Sequence, residues 1–207
     1  MPGINKRKRQ LYEESSLFLG RICVKLGFKP NYISAFSLAA AVVSGIFFWR
    51  GEWIWGVVWM IVNAVTDMLD GSTARAGNLG TVFGGILDHV LDRYGEFFIL
   101  AGITLSGRVH PGWGLFALFG MIIASYTRAA AESMSNIENC AVGIMGRLEK
   151  FIIIIIGSLL EYFFPEGAFP RSGWLEVALI IVGTTSFITA IQRLVYTYKV
   201  LGNRREV

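Results

Sequence analysis

The chain has 207 residues, of which 54% are hydrophobic and 14% aromatic. With a mean hydropathy of +0.53, that composition excludes an ordinary soluble globule and predicts one membrane-embedded domain over residues 1–207. The net charge of +4 does not argue for nucleic acid, because the basic residues cluster outside the apolar stretches, where they act as topology signals and contacts to anionic lipid.

The N-terminal part, 1–29, opens on Lys6-Arg7-Lys8-Arg9, and no small-residue cleavage site follows a short apolar core, so a cleaved signal peptide is not expected. Over residues 10–27, Leu11, Phe18, Ile22 and Leu26 fall along one side, with Glu13, Glu14, Arg21 and Lys25 elsewhere. That pattern predicts an amphipathic helix lying in the membrane interface. Six apolar spans follow, at roughly 32–49, 53–74, 80–106, 112–134, 150–164 and 174–197. The expected fold is therefore all-α and integral to the membrane: six transmembrane helices over 30–199, one interfacial helix before them and a cytoplasmic tail, 200–207. Glycines and Pro30, Pro111, Pro165 and Pro170 mark the connections. The fifth span is short for a ~30 Å hydrocarbon core and leans on Lys150 and on Tyr162, Phe163 and Phe164.

Lysine and arginine bias sets the orientation. Seven basic residues, Lys6 to Arg9 with Arg21, Lys25 and Lys29, precede the first span, and six crossings put Arg75, Arg147, Lys150, Lys199, Arg204 and Arg205 on that same side. The opposite side carries Arg50, Arg108 and Arg171. Both termini are expected in the cytoplasm, and the membrane is expected to be the cell membrane. Cys23 and Cys140 are far apart and match no zinc or disulfide pattern.

The chemistry is concentrated in the second and third spans. Asp67, Asp70, Asp88 and Asp92 fall within 26 positions flanked by apolar sequence. A carboxylate at bilayer depth is costly, so such a group faces a polar cavity, a partner or a metal. Arg75 alone cannot balance four of them. On a helix Asp67 and Asp70 share one face, and Gly84, Asp88 and Asp92 step by four along another. Both pairs sit near one membrane surface, so adjacent helices can aim all four at one point. Hard oxygen ligands of this kind suit Mg²⁺ or Mn²⁺, which keep positions open for substrate phosphates. Gly71, Ala74 and Gly84 clear space beside the acids, and Arg75 offers a planar donor fork to a phosphate oxygen. His89, beside the cluster, is expected to face a neighbouring helix. A cation channel or transporter is the rival from another class, and a catalytically silent scaffold a third possibility. A cation path has no obvious need for the small residues and the arginine, and the intact acid set speaks against a silent scaffold.

The pattern D-x2-D-G-x2-A-R-x8-G-x3-D-x3-D is matched at every fixed position by Asp67, Asp70, Gly71, Ala74, Arg75, Gly84, Asp88 and Asp92. It resembles the signature of the CDP-alcohol phosphotransferases, integral membrane enzymes of phospholipid synthesis. Pro30-Asn31-Tyr32-Ile33-Ser34, leading into the first span, is similar to that family's usual lead-in. The resemblance implies transfer of a phosphatidyl-type group from a CDP-linked lipid, with diacyl or isoprenoid ether chains, to an alcohol, with release of CMP. It implies a dinuclear Mg²⁺ or Mn²⁺ site on Asp67, Asp70 and Asp88, with Asp92 completing it and serving as general base. It also implies that Gly71, Ala74, Arg75, Gly84, Asn31 and Ser34 bind the CDP-lipid, and that the protein is a homodimer.

For the acceptor, Ser125 to Glu132 (SYTRAAAE) and Gly143 to Lys150 (GIMGRLEK) look like segments of the branch that uses inositol 1-phosphate. Arg128, Arg147 and Arg193 are expected to hold the acceptor's phosphate dianion. The chain departs from that branch at Ala130, where a second basic residue is frequent. Glycerol 3-phosphate, which carries the same dianion, thus stays open, with serine behind it.

Overall fold

The structure is a computed structural model, and it describes residues 16–135, 137, 140, 142–167 and 172–205. Lys6 to Arg9, Leu11, Glu13, Glu14, Pro170 and Arg171 lie outside the described residues. The described chain is all-helical: α1 over residues 16–25, then α2 (Pro30–Trp49), α3 (Trp53–Ala76), α4 (Val82–Leu105), α5 (Pro111–Ser135), α6 (Arg147–Phe163) and α7 (Trp174–Arg205). Each of the six predicted spans corresponds to one of α2 to α7. Three of these, α2, α5 and α7, are long and apolar enough to cross a membrane by length and composition alone. The acids lower the mean hydropathy of α3 and α4, and α6 has 17 residues.

Glycine sets two of the breaks. Gly27 and Gly51 take φ of 80° and 75°, and each ends its helix in a paired 6→1 and 5→2 hydrogen-bond pattern. The Phe28 N–H reaches Cys23 O at 3.0 Å and the Gly27 N–H reaches Val24 O at 3.0 Å. Glu52 N–H reaches Phe47 O at 2.9 Å and Gly51 N–H reaches Phe48 O at 3.0 Å. The left-handed residue satisfies carbonyls that the helix end leaves open, a conformation only glycine takes without cost.

The chain divides into two compact units, one holding the chain up to Ile46 with Val58–Ile99, the other Phe47–Val57 with Leu100 onward. In the first, small residues bring helices close. An added Cβ at Gly95 would lie 3.3 Å from Ala41 Cβ, and one at Gly45 would meet the Phe98 backbone, 2.9 Å from its carbonyl carbon. Ala40, Ala41, Met60 and Ile99 are buried there. In the second, α7 packs against α5 and α6. Phe116 stacks on Phe187 at 4.9 Å between ring centroids, above a core that includes Ala117, Met121, Ile154, Leu179 and Val182. Glu161, 3% exposed, accepts the Leu175 N–H at 3.3 Å and lies 3.8 Å from Arg108. A buried carboxylate needs such donors.

Helix α1 rests on the end of α3. A Cβ at Gly20 would meet the Ser72 carbonyl, with its carbon 2.6 Å away, and Val24 faces Gly77. Ser72 and Thr73 are fully buried and bond back to Met68 O at 2.8 Å and Leu69 O at 2.6 Å, so they cannot retreat. Gly20→Leu is therefore expected to cost about 1–3 kcal/mol by overpacking, read as a lowered Tm by circular dichroism in detergent. An unchanged Tm would show that α1 is not seated there.

Candidate metal and phosphate site

The connection between α3 and α4 explains the eight-residue gap in the acidic pattern. Helix α3 ends at Ala76, Asn78 takes φ of 49°, and the Leu79 N–H closes onto Ala74 O at 3.0 Å. Asparagine is among the few non-glycine residues that tolerate this left-handed turn. Thr81 then caps α4, its Oγ1 accepting the Gly84 N–H at 2.9 Å. The short reversal sets the last three turns of α3 beside the first three of α4, and the acids meet.

Carboxylate oxygens of Asp67, Asp70 and Asp88 lie within 4.8 Å of one another. Together with Asp92 they line a small recess whose other walls are Ser34, Ser37 and Leu38 of α2, Asn63 of α3 and Leu91 of α4. Asp70 is 4% exposed, and its Oδ2 is buried without a hydrogen-bond partner among the described residues. Leaving a charged oxygen so is expensive in the absence of a counter-ion. Three converging carboxylates, one of them with an orphaned oxygen, fit a divalent cation, and nothing in the donor set suits a softer metal.

The remaining predicted residues fall into two groups. Of the acidic signature, the four aspartates line the recess, and the other members flank them in sequence on α3 and α4. Arg75 folds over Gly71, where an added Cβ would be 3.3 Å from its Nη1, and donates to Ser72 Oγ at 3.3 Å. The Asn31 side-chain oxygen would lie 3.4 Å from a Cβ at Gly84, and a side chain there would close that approach. The Ser34 hydroxyl donates to Pro30 O at 3.2 Å. Ala74 is half-buried one turn after Asp70. The Asp92 carboxylate lies 3.5 Å from Arg93, which in turn holds the buried Glu96 at 2.7 Å. His89 differs from expectation: its side chain is 78% exposed, 3.7 Å from Asp88, rather than packed on a neighbouring helix. Its place in the first turns of α4, next to a recess-facing aspartate, turns it outward.

Arg128, Arg147 and Arg193 lie in the second unit, each with a partner of its own. Arg128 pairs with Glu132 at 2.9 Å. The Arg147 guanidinium sits 5.2 Å from the Phe151 ring centroid. Arg193 donates to Val142 O at 2.9 Å and to Ala124 O at 2.5 Å. Sequence reasoning missed how α7 secures the Gly143 to Gly146 segment: Gln192 accepts the Ile144 N–H at 3.0 Å, and the Thr189 methyl packs where a Cβ at Gly143 would stand. It also missed Ser37 and Asn63. Asn63 could have been found by its spacing, one helical turn ahead of Asp67.

Residues 28–193 match the CDP-alcohol phosphatidyltransferase family. The chain is 34% identical over 200 residues to archaetidylinositol phosphate synthase of Methanothermobacter thermautotrophicus, covering 96% of this chain and 98% of that one. Its fold is similar to the crystal structures of Mycobacterium tuberculosis phosphatidylinositol phosphate synthase. The form with CDP-DAG bound has a TM-score of 0.74 at 26% identity, over 88% of this chain and 93% of that one. The form with manganese and citrate has a TM-score of 0.75 at 27% identity, over 88% of each chain. Agreement in motif, length and fold leads to one conclusion: this chain belongs to the CDP-alcohol phosphatidyltransferase family.

Proposed function

We propose that the protein transfers the phosphatidyl-type group of a CDP-linked lipid to inositol 1-phosphate and releases CMP. The observation that carries the proposal is the convergence of Asp67, Asp70 and Asp88 within 4.8 Å, beside an arginine fork and two glycines. The relatives named as inositol phosphate synthases support the acceptor.

Asp67, Asp70 and Asp88 would hold two Mg²⁺ or Mn²⁺ ions, with Asp92 completing the site. When bound, these ions neutralise the diphosphate and stabilise the departing CMP oxygens. Arg75 donates to a phosphate oxygen, and Gly71, Ala74, Gly84, Asn31 and Ser34 leave room for the nucleotide end of the lipid. Asp92 takes the proton of the attacking hydroxyl as its oxygen bonds to the lipid-bearing phosphorus and the bond from that phosphorus to CMP breaks. Arg128, Arg147 and Arg193 bind the acceptor's own phosphate. The whole chain acts as one membrane domain with α2 to α7 as six crossings. Both termini and the recess face the cytoplasm, α1 lies in the interface, and the protein works as a homodimer in the cell membrane. The six spans predicted from hydropathy agree in number and order with α2 to α7, and α6, at about 26 Å, reaches most of the hydrocarbon thickness.

The test is CMP release from CDP-diacylglycerol and from CDP-archaeol, offered with inositol 1-phosphate, glycerol 3-phosphate, serine or inositol. Turnover is expected with inositol 1-phosphate, and Arg147→Ala is expected to raise the KM for that acceptor tenfold or more with little change for the CDP-lipid, the loss of a charge-assisted contact. Release with a neutral acceptor instead, or equal effects on both substrates, overturns the phosphate assignment.

A further inference from the structure

Asn63 is 3% exposed and precedes Asp67 by one helical turn, so Asn63, Asp67 and Asp70 form one stripe on α3. All three line the recess. The side-chain amide of Asn63 has one allowed orientation. Its Nδ2 donates to Ser37 O at 3.0 Å and to Ser37 Oγ at 2.9 Å. The Ser37 hydroxyl spends its proton on Asn63 O at 3.1 Å, so it can only accept from the amide. Turning the amide over would set its oxygen against the Ser37 carbonyl, two acceptors in contact. Oδ1 therefore points away from Ser37, and it is buried with no hydrogen-bond partner among the described residues.

A buried carbonyl oxygen is rarely left without a donor. The walls around it do not supply one: the Ser34 and Ser37 hydroxyls donate to backbone carbonyls, and the other lining groups are carboxylates and leucines. The donor must arrive from outside. Small hard cations keep part of their water shell when a few carboxylates bind them, and such a water has protons to give to oxygens beside the ion. We propose that Asn63 Oδ1, fixed by Ser37, holds a water carried by the divalent cation bound at the aspartate cluster. Asn63 is thus a positioning residue for the cation, a role that rests on the metal reading given above.

The experiment measures Mn²⁺ affinity of the full-length protein in detergent by electron paramagnetic resonance, with neither CDP-lipid nor acceptor present. Thermal unfolding in EDTA is read in parallel. Asn63→Leu is expected to weaken Mn²⁺ binding by about 10- to 100-fold, the range for lost partners of metal-bound groups, while the metal-free Tm does not fall. Wild-type Mn²⁺ affinity overturns the proposal. So does a lowered metal-free Tm with unchanged affinity, which marks a packing residue, or a change confined to the acceptor's KM. Should Asn63→Leu fail to fold, Ser37→Ala decides, since it keeps the oxygen but frees the amide to turn: weakened Mn²⁺ binding supports the assignment and wild-type binding overturns it. Asp70→Asn is the control. If it leaves Mn²⁺ binding intact, the cation reading itself fails; if it abolishes binding while Asn63→Leu does not weaken it, only the role of Asn63 falls.

Discussion

Asp92→Asn is expected to lower turnover by about 10²- to 10⁴-fold, the usual contribution of a positioned general base, while the protein still binds CDP-lipid. The substitution preserves size and hydrogen-bonding shape but removes the ability to take a proton. Binding should survive because the three carboxylates that converge within 4.8 Å are Asp67, Asp70 and Asp88, leaving Asp92 on the recess wall without a place in that closest group. Its surroundings also suit a base that must stay in position. The guanidinium of Arg93 lies 3.5 Å from it and is itself tied to Glu96, a residue 1% exposed. Single-turnover CMP release, measured beside CDP-lipid binding, separates the outcomes. Near wild-type turnover removes the base assignment, and loss of lipid binding with turnover makes Asp92 a binding ligand instead.

Much of this arrangement could be read from residue order. Spacing alone places Asp67 with Asp70 and Gly84 with Asp88 and Asp92, and the apolar runs set the number and order of α2 to α7, because period and hydropathy are local properties. The Thr81 cap ahead of α4 and the left-handed Asn78 are also local features, and together they set the length of the eight-residue gap. What escaped notice depends on contacts distant in sequence. Spacing puts Asn63 on the face of Asp67, but nothing in the run around Ser37 indicates that its hydroxyl meets Asn63 O, 26 residues away, and that contact is what fixes the Asn63 amide. The crossing of α1 over α3 at Gly20 was hidden for the same reason, since a glycine in an amphipathic helix shows a packing role only once its neighbour is known. The acceptor arginines mark the other limit. A basic residue at membrane depth can be assigned by composition to a substrate phosphate, yet what the structure shows for Arg193 is donation to two backbone carbonyls, Val142 O and Ala124 O. Its substitution should therefore disturb the segment before α6 whatever its part in the proposed acceptor binding, which makes Arg147 the cleaner probe.

Asp70→Asn should abolish metal-dependent turnover and, in EDTA, leave a Tm equal to or above that of the unaltered protein. The two effects have one cause. Asp70 is buried and its Oδ2 lacks a hydrogen-bond partner among the described residues, with oxygens of Asp67 and Asp88 within 4.8 Å of one of its own. Without a cation, that clustering sets like charges together and keeps a carboxylate out of water, both unfavourable. An amide of the same shape removes one of the charges, and the metal-free fold gains. Adding Mg²⁺ or Mn²⁺ reverses the order. A ligand at 100 times its dissociation constant stabilises the protein that binds it by about 2.7 kcal/mol, roughly 5–10 °C in Tm for a chain of this size, and Asp70→Asn forfeits that increase. Thermal unfolding with and without Mn²⁺, set beside CMP release, tests both halves. A variant that is less stable in EDTA would show that Asp70 is held by contacts within the protein, and a preserved Mn²⁺-dependent rise in Tm would place the cation elsewhere. On this proposal the site costs stability until it is loaded: the negative potential of the clustered carboxylates attracts the cation, and binding relieves their repulsion.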